Sequence, residues 1–156
     1  MVRQHFLRYL TFTFPDKFSA AARLRLIRIL AILFIFLLPA AAHAEMPVSQ
    51  LRISGHTVSA EVAHTHDTRS QGLMFRQSMG ENNGMLFVFS YIGRQSMWMM
   101  NTDIPLSVAF IDGKGVILNI ADMMPNTKTA HSSAGAGKYA LEMNCGWFKK
   151  KKITAS

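Results

Sequence analysis

Residues 106–123 read LSVAFIDGKGVILNIADM, two apolar runs on either side of Asp112-Gly113-Lys114-Gly115. Asp and Gly reach the positive-φ backbone that a tight reversal demands, so the stretch predicts two antiparallel strands, 106–111 and 116–123, joined by a short hairpin turn. Working outward, the same short alternating segments recur. Residues 51–54 and 57–64 alternate about Gly55 and His56, with Val58, Ala60 and Val62 on one face, and read as an opening hairpin. Residues 85–89, Met-Leu-Phe-Val-Phe, are apolar on both faces and predict a strand in the middle of the domain. Residues 95–100 and 139–143 supply further strands, the second closing the sheet. Between strands, Asp67 is expected to cap a short helical turn running through Arg69, Leu73 and Phe75. Residues 78–84 read as a loop, and residues 125–137, poor in apolar side chains and rich in Ser, Thr, Ala and Gly, as a mobile surface loop. The turn Cys145-Gly146-Trp147-Phe148 should return Trp147 or Phe148 to the core, with Cys145 a small apolar residue near a buried strand end. The expected fold is mainly β: a small antiparallel β-sandwich or barrel with one or two short helical turns.

The chain upstream of these strands has a different composition. Arg23, Arg25 and Arg28 lead into the apolar run 29–38, followed by Pro39 and the small residues Ala40, Ala41, Ala42 and Ala44. A basic start, an apolar stretch too short to span hydrocarbon and an Ala-x-Ala site is the order of a cleavable secretory signal. Residues 1–44 are accordingly expected to be a signal peptide cut after Ala44, and residues 45–156 a single β-rich domain with a basic C-terminal tail. The expected compartment is periplasmic or extracellular; an uncleaved signal would hold the domain at the inner membrane.

The formal charge of +8 belongs mostly to the ends of the chain. Six of the 17 basic and one of the nine acidic residues precede Glu45, leaving +3, and four of the remaining lysines are Lys149, Lys150, Lys151 and Lys152. A near-neutral domain lacks the basic face that neutralises phosphates, which argues against a nucleic-acid partner. Membrane contact is expected only through the signal segment or the lysine tail. With Cys145 the only cysteine, no internal disulfide can form, and stability must come from packing in what is expected to be a monomer.

Motifs of known chemistry are absent: no Gly-x-Ser-x-Gly elbow, His-Glu-x-x-His, phosphate-binding glycine loop or Cys-x-x-Cys pair occurs. The methionines offer a metal alternative. Met97, Met99 and Met123, with His64 or His66, combine thioether and imidazole, the ligands suited to Cu(I) outside the cytoplasm. Methionine also fills irregular core gaps, and that is the preferred reading of the run. No resident cofactor is otherwise implied.

Five stretches together closely resemble one family. They are Thr68-Arg69-Ser70-Gln71-Gly72-Leu73-Met74-Phe75-Arg76; Gly84-Met85-Leu86-Phe87-Val88-Phe89; Trp98-Met99-Met100-Asn101-Thr102-Asp103-Ile104-Pro105-Leu106; Phe110-Ile111-Asp112; and Tyr139-Ala140-Leu141-Glu142. The resemblance is to domain of unknown function 192, an uncharacterised and often exported set of bacterial and archaeal proteins, and it spans roughly residues 58–153. It implies a compact β-sandwich or barrel with no agreed activity or cofactor. Two departures stand out: the family's usual Lys is Met100 here, and its usual Asp is Ser107. Were those two groups an ion pair in relatives, losing both together would strand no charge. The family also tends to continue into a final strand after the Gly-Trp turn, a strand expected to be missing or shortened here.

Arg69, Arg76, Asn101, Thr102 and Glu142 are polar residues embedded in apolar stretches, which suits either a pocket lining or one buried network. Trp98 beside them would give a small ligand an aromatic wall. These residues make a β-domain that binds a small molecule, glycan or protein the leading expectation. A periplasmic copper-handling protein is the alternative. A third reading is an enzyme of unrecognised type, with Glu142 or Asp103 as acid or base near Arg69; a carboxyl pKa strongly raised in a pocket would favour it.

Overall fold

The computed structural model describes residues 46–155 together with Ala21, Leu24, Arg25, Arg28 and Ile29. The chain divides into two compact units, Met1–Ala44 and Glu45–Ser156. The five described residues of the first are helical; apart from Arg25, Arg28 and Ile29, the signal elements read from the sequence lie outside the described residues. Among the described residues no helix is long and apolar enough to cross a membrane.

The second unit is mainly β. Its elements are β1 (Val48–Ile53), β2 (His56–Ala63), α1 (His66–Gln71), β3 (Asn83–Gly93), β4 (Ser96–Met97), β5 (Leu106–Ile111), β6 (Ile117–Met123), β7 (His131–Ser132), β8 (Gly137–Asn144) and α2 (Trp147–Lys150). Six strands form one sheet in the order β1-β2-β3-β8-β5-β6, and β4 pairs with β7 in a second. The β5–β6 hairpin forms as the sequence dictates. The Asp112 carboxylate accepts the backbone N–H of Lys114 at 2.8 Å and of Val116 at 2.9 Å, while Gly115 takes φ +87°. The β1–β2 turn is Ser54-Gly55, both at positive φ, with Ile53 opposite His56.

Two expectations about the sheet need correction. It is mixed, because β2 and β3 run parallel, the connection through residues 64–82 and α1 being long enough to carry the chain back to the same end. It is also open, with β1 and β6 at its ends and no closed barrel among the described residues. β8 lies between β3 and β5 and is antiparallel to both. At the β3–β8 crossing the backbones come unusually close: a Cβ on Gly84 would sit 2.5 Å from the Glu142 carbonyl oxygen and against the Met143 sulfur.

The period-two pattern sorts the core onto two faces. Met85, Phe87, Leu106, Val108, Phe110, Met123 and Ala140 pack together with Leu73, Met99 and Ile104. Ala60, Ala109, Leu141 and Met143 pack with Trp147, Phe148 and Ile153. Both aromatics of the C-terminal turn are buried, edge to face with centroids 5.3 Å apart, and the Trp147 indole donates to Asn82 Oδ1 at 3.1 Å. The chain leaves β8 into α2 rather than into another strand among the described residues, and Ile153 beyond it packs into the same cluster. Cys145 is exposed, not buried.

Other local readings shift. The helix cap is Thr65 rather than Asp67, because the Thr65 hydroxyl accepts the Thr68 N–H in a reciprocal capping box. The expected strand 95–100 is only Ser96–Met97. Beyond it the chain turns, with Asn101 at φ +56° and Met99 N–H donating to Thr127 O at 3.0 Å. The expected surface loop 125–137 contains β7 and a fully buried Ser133. The Ser133 hydroxyl accepts the Gln95 N–H at 2.9 Å and donates to Gly135 O at 2.7 Å, which ties the segment to the body of the domain.

Candidate functional site

On the face of the sheet that carries Met85 and Phe87, a cavity of about 410 Å³ opens under α1 and the turn following it. That volume suits a small organic molecule. Its apolar walls come from Leu73 and Met74 after α1, from Phe87 and Phe89 of β3, and from Met97, Trp98 and Met100 of the β4 segment. Phe87 and Phe89 stand together because alternate strand residues share a face.

Glu142 of β8 also lines the cavity. Its register partners are Met85 on β3 and Val108 on β5, and it is 3% exposed. Among the described residues no hydrogen bond or cation offsets that burial, and desolvation alone raises its carboxyl to about 8. At neutral pH this group is therefore a neutral acid, a proton donor within a largely apolar chamber.

The sequence-derived residues divide into two groups. Arg69, Trp98, Thr102 and Glu142 line the cavity. Arg69 is held by its own donors, bonding His64 O at 2.6 Å and Val88 O at 3.1 Å, which places its charge where α1 meets β3. Thr102 is buried and donates to Met100 O at 3.3 Å. Trp98, by contrast, is 56% exposed and forms part of the rim. Arg76 and Asn101 are not in the lining. Arg76 pairs with Glu61 at 2.5 Å, and Asn101 serves the backbone, its carbonyl accepting the Phe75 N–H at 2.8 Å.

The metal alternative is likewise divided. Met97 and His66 line the cavity, Met99 and Met123 lie in the core, and the exposed His64 has Nδ1 3.4 Å from Val62 O. The cavity instead brings Met74 and Met100 beside Met97, a convergence that strand periodicity did not reveal. Asp103 is exposed and accepts from Gln77 at 2.9 Å and Asn126 at 3.0 Å.

The two departures from the family pattern line different cavities. Met100 faces the one containing Glu142. Ser107 lies in another with Asp122, Lys149 and Lys152, donating to Asp122 and accepting the Gly146 N–H at 2.8 Å.

Residues 49–156 match the family DUF192, described as "Uncharacterized ACR". A similar solved structure, from Sinorhizobium meliloti 1021, is described as a candidate transcription regulator; it is 32% identical over 73% of this chain and 93% of its own, with a TM-score of 0.68. A protein of unknown function from Novosphingobium aromaticivorans DSM 12444 is 28% identical over 75% of this chain and 86% of its own, with a TM-score of 0.67. None of the curated proteins matches.

Proposed function

The chain belongs to the DUF192 family, and on that footing we propose that it is a small-molecule-binding β-domain that works outside the cytoplasm. The observation that carries this reading is Glu142, a buried carboxyl that has no partner among the described residues and lines a cavity of about 410 Å³. A carboxyl confined among apolar groups costs stability, so retaining one where a ligand can reach it favours a binding role over a packing role. Trp98 at the rim offers a ligand an aromatic surface, and Arg69, bonded to the His64 and Val88 carbonyls, fixes α1 against β3 at the cavity. A transcription role is not adopted, because the +3 charge beyond Ala44 is concentrated in the terminal lysines.

Thermal unfolding with Cu(I), Cu(II), Zn(II), envelope sugars and small metabolites tests the proposal. A ligand at 100 times its dissociation constant should add about 2.7 kcal/mol, and the gain should vanish in Trp98→Ala. No shift with any compound would overturn the reading. A second reading rests on the same raised pKa: Glu142 would serve as a general acid toward a substrate in the cavity. Turnover lost in Glu142→Gln, with binding retained, would distinguish it.

A further inference from the structure

We propose that the cavity selects an organic cation, an amine or quaternary ammonium carried on an apolar or aromatic body. The inference rests on the cavity being a ligand site and names the chemistry of its occupant. The titratable or charged residues lining the cavity are Glu142, Arg69 and His66. The register neighbours of Glu142, Met85 on β3 and Val108 on β5, are apolar, and Phe87 and Met97 line the same cavity together with the uncharged Ser96 and Thr102. Arg69 is committed to the carbonyls of His64 and Val88 and does not lower the Glu142 pKa, so it does not serve as the counter-charge of an ionised Glu142. His66 has an 88% exposed side chain beside Asp67.

A cation entering this chamber meets a carboxyl that has no other counter-charge among the described residues. It also meets the rings of Phe87, Phe89 and Trp98, whose π faces attract ammonium groups, and the polarisable thioethers of Met74, Met97 and Met100. A neutral ligand could exchange hydrogen bonds with the protonated acid but would gain no ion pair from it. An anion could accept a hydrogen bond from the protonated acid but would be repelled once Glu142 ionises, so it cannot use the charge that a cation calls up. When the cation binds at neutral pH, the Glu142 proton leaves to solvent and the carboxylate left behind pairs with the ligand.

Calorimetry on the full chain tests this with phenyltrimethylammonium, whose charge does not titrate, against 2-phenylethanol and phenylacetate as neutral and anionic counterparts. The cation should bind best. Its affinity should rise about tenfold from about pH 6 to about pH 7 and level off above about pH 8, with one proton released per ligand at the lower pH. Glu142→Gln should abolish both the pH dependence and the preference for charge. Equal binding of 2-phenylethanol or phenylacetate, lost in Trp98→Ala, would overturn the cation inference and leave the cavity as a ligand site. Failure of all three probes to bind would overturn the cation inference, and a ligand panel without effect would remove the binding reading with it.

Discussion

Replacing Glu142 by Gln should make the protein more stable, and by an amount that grows with pH. The carboxyl rises from its ordinary 4.5 to about 8 because burial removes it from water with no offsetting partner among the described residues. At about 1.4 kcal/mol for each tenfold change, that rise places roughly 5 kcal/mol on the charged form. The sign follows from proton counting. Between pH 4.5 and about 8 the folded chain holds a proton that the unfolded chain has released, so stability falls as pH rises through that window and is flat above it. The contribution is fully present below 4.5 and lost by about 8. Gln keeps the shape and never ionises. The variant should therefore match the parent within about 1 kcal/mol near pH 4.5, exceed it by about 3 kcal/mol near pH 7, and by about 5 kcal/mol above pH 8. Urea unfolding of both proteins at these pH values measures the difference directly, and unchanged slopes would exclude an altered unfolded state. Glu81 and Asp112 have lowered pKa values, so their stability contributions are lost at more acid pH, and they cancel in the comparison. A parent–variant difference that is the same at pH 5 and pH 8.5 would refute the reasoning, since the carboxyl would then titrate normally.

Three further substitutions examine the frame around the cavity. Gly84→Ala should cost about 2–4 kcal/mol in urea unfolding, because the added methyl meets the Glu142 carbonyl oxygen at 2.5 Å and β3 must move away from β8. Arg69→Ala should cost about 1–3 kcal/mol by leaving the His64 and Val88 carbonyls without their donor, and hydrogen exchange should show the loss concentrated in α1. Ser107→Ala should cost about 1–3 kcal/mol, as the Gly146 N–H and the Asp122 carboxylate both lose their hydroxyl partner; this should leave binding at the Glu142 cavity unchanged, because Ser107 belongs to the other cavity.

The features legible in the sequence were those with local causes. The β5–β6 turn is written in Asp112 and Gly115, whose side chain and backbone freedom close it with no help from the rest of the fold. The parallel pairing of β2 with β3 was not legible, because strand direction depends on where residues 64–82 carry the chain. The two-residue strands β4 and β7 are too short to show a period and exist through cross-links such as Gln95 to Ser133. Glu142, Arg69, Thr102 and Arg76 share one sequence signal, a polar residue in an apolar setting. That signal does not distinguish a group that faces a cavity with no partner among the described residues, as Glu142 does, from one satisfied by a residue elsewhere, as Arg76 is by Glu61. Met97 and Met99 would share a face on a continuous strand. Because the strand ends at Met97, Met99 turns into the core instead.

The measurement that tests the central claim most directly is an NMR titration of the isotope-labelled protein with phenyltrimethylammonium. Saturable shifts should appear at the Trp98 indole N–H, at Leu73, Phe87 and Thr102, and at the Glu142 carboxyl carbon, which should move from its protonated to its ionised position as the ligand binds. Shifts centred on Ser107, Asp122 and Lys149, or a Glu142 carbon that does not respond while other residues saturate, would contradict the account.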